Sequence, residues 1–250
     1  MNSRKMLGMV FFAGLLMLVF CQSAFAHARN YAWTEEYKTL PKNVFELENW
    51  VTFKVPDGGV TNANTIEYQE ELEYGITDHW NIAHYERWKT TNRAGSGKDV
   101  TVYQGFKFET KYRFGEKGKY WVDPLLYLEF KTDVREKHNK NKLEGKIVLS
   151  KDWDKFNLVY NQIMESELDN GGRTEHEYRA AASYEIFSGF RPGVEVLGNY
   201  WEPGSHRNEI ALGPSLAYEG KYFWLTAGLA FGANNAADDF QARIILGVTF

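Results

Sequence analysis

From residue 44 onward, apolar and polar residues alternate with a period of two, the spacing of strands with one apolar and one polar face. In the stretch 100–114, Val100, Val102, Phe106, Phe108, Tyr112 and Phe114 fall on one face, and Thr101, Tyr103, Lys107, Glu109, Lys111 and Arg113 on the other. Ile66, Tyr68, Leu72 and Tyr74 oppose Glu67, Gln69, Glu71 and Glu73, and Tyr178, Ala180, Ala182, Tyr184 and Ile186 oppose Glu177, Arg179, Ser183 and Glu185. Twelve such segments are predicted, at 44–55, 65–74, 79–89, 100–113, 120–132, 142–151, 155–167, 174–187, 190–199, 207–218, 222–231 and 239–250. The third, 79–89, is poorly phased.

The connections alternate in character. Tight links such as Gly75-Ile76-Thr77-Asp78, Asp152-Trp153-Asp154-Lys155 and Ser188-Gly189 take turns with longer links near 56–64, 90–99, 133–141, 168–173, 200–206 and 232–238. Aromatic residues gather at the tight turns: Tyr74 and Trp80, Tyr112, Phe114, Tyr120 and Trp121, Trp153 and Phe156, Phe187 and Phe190, then Tyr218, Tyr222, Phe223 and Trp224. Short turns and an aromatic girdle at one end, with longer loops at the other, are the pattern of an outer-membrane barrel. The segments also have the roughly 9–14 residues that a tilted membrane strand takes up. The expected fold is all-β, a closed antiparallel transmembrane β-barrel of about 12 strands, an even number that returns the chain to its starting side.

The first 26 residues read as a cleaved leader, with Arg4 and Lys5 before an apolar run and Ala24-Phe25-Ala26 as the cleavage site. Phe20 before Cys21 argues against a lipid-anchored alternative. Residues 27–42 are set down as a periplasmic N-terminal arm, with a place in the barrel mouth left open, and 43–250 as the outer-membrane barrel. Cleavage removes Cys21, the one cysteine, and so excludes disulfide and thiolate chemistry from the mature chain. It also moves the net charge from −4 to −6 through the loss of Arg4 and Lys5; that acidity, with no basic stripe, excludes nucleic acid as a partner.

The last segment is the sharpest motif. Phe240, Ile244, Leu246, Val248 and Phe250 share one face, and the chain stops on the Phe. An alternating strand ending this way resembles the signal read by the barrel assembly machinery, which captures an unpaired edge by strand addition. Other stretches resemble a group of bacterial outer-membrane barrels classed as transporters beside a phenol-degradation meta-pathway family. They are Thr39-Leu40-Pro41-Lys42, Glu73-Tyr74-Gly75-Ile76-Thr77-Asp78, Asn157-Leu158-Val159-Tyr160-Asn161 and Pro192-Gly193-Val194-Glu195. The strand count is also similar to that of narrow twelve-stranded porins for acidic oligosaccharides, whose lumens are strongly basic, as this one is not. The resemblance implies the cell outer membrane as location and transport as function.

If the polar faces point inward, Glu67, Glu71, Glu73, Glu109, Lys111, Arg113, Glu177, Arg179, Glu195 and Arg243 are the expected pore-lining residues. Two readings follow. Rings of charge tune passive passage of a small solute, or the same charges pair across the lumen and seal a structural or partner-binding barrel, since twelve strands fall between filled and open bores. A lipid-modifying enzyme is the least supported reading. The six histidines (His27, His79, His84, His138, His176 and His206) sit in no nucleophile motif, and Ser205-His206 is merely adjacent. No catalytic residue, metal motif or cofactor is expected: Glu67, Glu71 and Glu73 have the chemistry to hold a hard cation such as calcium, but a solvated acidic lumen face is the favoured reading of them. The expected partners are outer-membrane lipid and lipopolysaccharide, the assembly machinery and a small solute.

Overall fold

The computed structural model describes residues 28–58, 64–92, 99–134, 139–169, 171–201 and 208–250. The leader, His27, His138, Ser205, His206 and the basic stretch Arg135–Lys137 lie outside the described residues. Twelve strands follow in chain order: β1 (Phe45–Val55), β2 (Asn64–Thr77), β3 (Trp80–Asn92), β4 (Asp99–Arg113), β5 (Asp123–Asp133), β6 (Lys140–Trp153), β7 (Phe156–Glu167), β8 (Thr174–Tyr184), β9 (Phe190–Trp201), β10 (Glu209–Glu219), β11 (Trp224–Gly232) and β12 (Phe240–Thr249). Each pairs antiparallel with its neighbours in sequence, and β12 pairs with β1, closing the sheet into a barrel. At the seam, Phe45 N–H donates to the Phe250 carbonyl (2.9 Å) and Phe250 N–H to the Phe45 carbonyl (2.8 Å), so the terminal residue is part of the closure. Closure removes the free edges that an open sheet presents.

The alternation separates the two faces. Leu72, Trp80, Ile82, Phe108, Leu126, Leu128, Ile147, Leu158, Val194, Leu212, Leu229, Ile244 and Leu246 are exposed on the outer wall, while Glu71, Glu73, Glu109, Lys111, Glu129, Asn161 and Glu195 are buried inside it. Such an inversion makes sense for a wall bathed in hydrocarbon. Phe240, Ile244, Leu246, Val248 and Phe250 all lie on the outer side of the β12 seam, as expected for an apolar strand face.

Three features depart from the alternation read in the sequence. First, Val100 and Val102 do not share the face of Phe106 and Phe108. The register shifts at Arg87/Trp88, so Arg87 pairs with Gly105 and Trp88 with Tyr103, which places Val102 opposite the inward Lys89. The extra residue of this bulge reverses the phase of everything before it. Gly105 makes the bulge possible: its φ is +126°, and a Cβ there would sit 1.9 Å from the Thr132 carbonyl oxygen. Gly105→Ala is therefore expected to cost about 3 kcal/mol, read as a lower midpoint in urea unfolding of the refolded barrel. Second, Trp224 is not in the girdle: it is fully buried and its indole N–H donates to Glu46 (3.0 Å), because its neighbour Phe223 takes the outward position. Third, β5 starts at Asp123 rather than near 120, because the Asp123 carboxylate accepts from Gly118 N–H (2.7 Å) and Tyr120 N–H (3.3 Å) and closes the turn before it.

The poor phase of the third segment also has a cause. In β3, Asn81, Ala83, Tyr85 and Arg87 are buried inside, so His84 and Glu86 point out. His84 Nε2 lies 3.0 Å from Glu86, and the Tyr103 hydroxyl donates to the same carboxylate (2.6 Å), which partners one of two acidic groups that face each other there, Glu86 on β3 and Glu70 on β2.

Candidate functional site

The arm residues 28–42 do not hang free from the barrel. They enter at the turn end, where Asn43 N–H donates to the Gly75 carbonyl (2.8 Å), and fold back on themselves inside the lumen. The fold-back is held by Arg29 to Glu35 (2.9 Å) and by Asn30 N–H to Glu36 (2.5 Å). Tyr31, Ala32, Thr34 and Leu40 have no exposed surface.

Inward polar side chains grip this arm from all round the wall. Glu195 on β9 accepts the backbone N–H groups of Ala32 (2.7 Å), Trp33 (3.0 Å) and Thr34 (2.9 Å) and the Thr34 hydroxyl (2.8 Å). Three successive N–H groups converging on one carboxylate form an anion nest. On β7, Asn161 Oδ1 accepts from Glu35 N–H (2.7 Å) while its Nδ2 donates to the Glu35 carbonyl (2.9 Å). The Tyr31 hydroxyl donates to Asn157 Oδ1 (2.7 Å) and lies 2.9 Å from the Ser183 hydroxyl. Burial pushes the Tyr31 phenol above its usual range, so it remains a donor. Arg179 on β8 donates to the Trp33 carbonyl (2.5 Å), Arg243 on β12 to the Ala32 carbonyl (3.0 Å) and Thr226 on β11 to the Arg29 carbonyl. Arg243 also lies over the rings of Trp33 (5.3 Å) and Trp50 (5.4 Å). Gly228 faces the arm because a Cβ there would stand 2.4 Å from Trp33 and 2.6 Å from Ala32. Near the mouth, the Tyr37 hydroxyl bonds Gly115, and Arg113 donates to Thr39 (3.2 Å) and the Asp78 carbonyl (2.9 Å).

Charge in the lumen is partitioned rather than mixed. Beside the arm at the turn end, Glu46, Glu48, Glu71, Glu73 and Glu109 are buried around one lysine, Lys111. Lys111 Nζ lies 2.8 Å from Glu73, 3.5 Å from Glu109 and 3.6 Å from Glu35. Burial alone would raise the Glu35 carboxyl, but Arg29 and Lys111 hold it well below the usual carboxylate range. At mid-height, a cavity of about 120 Å³ is floored by Trp33 and lined by Lys107, Lys146, Arg179 and Arg243 with Glu129 and Glu144. There Lys107 meets Glu129 (3.2 Å) and Lys146 meets Glu144 (3.3 Å). Toward the loop end, Glu67 joins Lys54 (2.9 Å) and Lys89 (3.6 Å).

All ten residues expected to line a pore thus face inward, but in different company. Arg113, Lys111, Arg179, Glu195 and Arg243 touch the arm; Glu71, Glu73 and Glu109 form the acidic cluster; Glu67 and Glu177 are paired elsewhere on the wall, Glu177 with Arg179. Sequence reasoning did not single out Asn157, Asn161, Ser183 or Thr226 as arm anchors, although each is a polar residue at an inward position of its strand. The four stretches that carry the family resemblance meet at the arm. Asp78 accepts from Thr39 (2.7 Å) and Lys42 N–H (2.9 Å), and Asn157, Asn161 and Glu195 hold residues 31–35.

This architecture, a closed twelve-stranded barrel around an inserted segment, can be compared with solved structures. The COG4313 outer membrane channel from Pseudomonas putida F1 superimposes with a TM-score of 0.62 at 10% identity, over 86% of this chain and 98% of that one. The fold is that of outer-membrane channels. The NanC porin matches with a TM-score of 0.53 at 10% identity, over 82% of this chain and 98% of that one, and the KdgM porin with 0.52 at 9% identity over the same shares. No family model and no curated protein matches the chain.

Proposed function

We propose that this chain is an outer-membrane channel for small polar solutes whose resting lumen is closed at the periplasmic end by its own N-terminal arm. The observation that carries this reading is the grip of Glu195 on three backbone N–H groups of the arm, at the foot of a polar chamber. Support for the location comes from the apolar outer wall, the aromatic residues at the tight turns and the fold shared with channels and porins. The apolar seam face of β12 suits capture by the assembly machinery, and the outer wall suits lipid and lipopolysaccharide.

The chamber wall sets the solute class. Charged side chains in facing pairs hold fixed dipoles, and the arginines beside Trp33 present planar donors. A chamber of this size admits a solute of a few heavy atoms when the arm stays in place. Passage of anything larger requires the arm to move. A catalytic reading gains nothing from the described histidines: His79 pairs with Glu116 (3.2 Å) at a tight turn, His84 is on the outer wall beside Glu86, and His176 stacks on Tyr200 at 5.0 Å.

Liposome swelling tests this function. Vesicles carrying the refolded barrel are expected to swell slowly in small polar solutes, and to stop swelling as solute size rises past a few heavy atoms. Swelling no faster than in protein-free vesicles, for the wild type and for a chain lacking the arm, would favour a sealed structural barrel instead.

A further inference from the structure

The acidic cluster beside the arm has more charge than its lysine can balance. Glu35, Glu46, Glu48, Glu71, Glu73 and Glu109 are all buried, and Arg29 and Lys111 are the cations that touch them. Fully ionised, six carboxylates against two cations leave four negative charges out of water. A buried, uncompensated ion costs several kcal/mol, so something must neutralise them.

The oxygens left without partners show where the missing charge belongs. Among the described residues, neither carboxylate oxygen of Glu71 meets a hydrogen-bond donor, although the side chain has no exposed surface. The neutral amide of Asn81 tells the same story independently. Its Nδ2 donates to Glu73 (2.5 Å), yet its own carbonyl oxygen, 1% exposed as a residue, has no donor. Glu71, Glu73 and Glu109 each offer an oxygen within 4.8 Å of the others, and Glu73 joins a second such trio with Glu46 and Glu48. Between this second trio, Asn81 and the arm lies a cavity of about 20 Å³, room for one water-sized occupant.

We infer that Glu71, Glu73 and Glu109 bind one hard divalent cation of the calcium class, with Asn81 beside Glu73. The chemistry is specific. All the candidate ligands are oxygens, with no sulfur or imidazole among them, which selects hard cations over zinc or copper. Three carboxylates, each bidentate, supply up to six oxygens, the low end of the six to eight that calcium takes, without the strict octahedron of magnesium. One such ion halves the uncompensated charge and provides the positive partner that Glu71 lacks. Lys111 then serves as the second positive charge of the same cluster and ties it to Glu35 of the arm.

Terbium luminescence tests the site directly, because the Tyr85 hydroxyl donates to Glu109 and places a sensitising ring beside it. The mature barrel, folded in detergent and stripped with chelator, is titrated with terbium under aromatic excitation. The expected result is saturable emission that calcium displaces and magnesium displaces less well. Glu71→Gln, Glu109→Gln and Asn81→Ala should each weaken binding by about tenfold or more, whereas Glu185→Gln, paired to Arg191 away from the cluster, should not. A second readout needs no variant: calcium should raise the melting temperature of the wild type, and chelator should reverse the rise. Glu71→Gln, relieved of one negative charge, should melt above the wild type in chelator and gain nothing from calcium. Absence of saturable emission, emission indifferent to all three cluster variants, or a wild type stabilised by acid but not by calcium would each overturn the assignment.

Discussion

Excision of residues 28–40 is expected to convert a barrel that conducts rarely and in small steps into one that stays open in planar bilayers. The physical reason is that the arm is the main occupant of the lumen at the turn end, and that wall residues, not the arm itself, supply most of its hydrogen-bond partners. A single substitution should go partway. Glu195→Ala removes the carboxylate that accepts three N–H groups and one hydroxyl. Hydrogen bonds to a charged acceptor are worth about 1.5–3 kcal/mol each, and they are not additive once water reaches the freed groups. A loss of about 3–5 kcal/mol in arm binding is expected, or roughly two to four orders of magnitude in the ratio of closed to open states. Single-channel recording reads this as frequent openings, and proteolysis from the turn side reads it as cleavage within 28–42. Glu195→Gln, which keeps one acceptor oxygen, should lie between the two. The seam is closed by the backbone pairing of β1 with β12, which none of these changes touches, so the difference in gel mobility between boiled and unboiled samples should persist in all three. Openings and cleavage equal to the wild type in Glu195→Ala would show that the arm is held by something else.

Lys111→Met is expected to be the most destabilising single change in the lumen. Its ammonium lies within 3.6 Å of three buried carboxylates, those of Glu35, Glu73 and Glu109. Removing one partner from a buried ionic cluster typically costs about 3–5 kcal/mol because the other partners stay charged and buried. The pH dependence carries a sign. Glu35 has a carboxyl held low in the folded chain, so its contribution to stability is present above the ordinary carboxylate range. That contribution is lost as pH falls through the depressed value. In Lys111→Met one of the cations that hold it low is gone, so the variant has less of this contribution to lose. The gap in melting temperature between wild type and variant should therefore be widest at neutral pH and narrow on acidification. A constant gap across the carboxylate range would mean that lost packing of the lysine stem, rather than charge, is responsible. A double change, Lys111→Met with Glu73→Gln, should recover part of the loss, since it removes one of the stranded charges.

These two substitutions probe the same arrangement from opposite sides. Glu195 holds the arm through its backbone and would act on arm displacement with little change in barrel stability. Lys111 holds it through a cluster that also belongs to the wall, so it acts on both. If the arm moves as a unit during solute passage, the wild type should show both effects coupled: conditions that weaken the acidic cluster, chelation among them, should raise the frequency of openings.

The sequence alone determined the twelve strands, their faces and the closed barrel, because side chains in a strand alternate with period two whatever the partner strand. Glu71, Glu109, Glu195 and Arg243 could be placed inside from that count alone. It went astray at Val100 and Val102, where one extra residue, Gln104 beside Gly105, reversed the phase, since a bulge leaves no mark on composition. What only the tertiary structure decided is the company each inward residue keeps. Glu195 meets Ala32 across 163 positions and Arg243 meets it across 211, so neither contact has a local sequence signal. The carboxylates of the acidic cluster come from β1, β2 and β4, far apart in the sequence but gathered around one lysine by the closing of the sheet. A period of two says which side of a wall a residue is on; only closure of the wall says what lies opposite, and that is where the charges and the arm acquire their meaning.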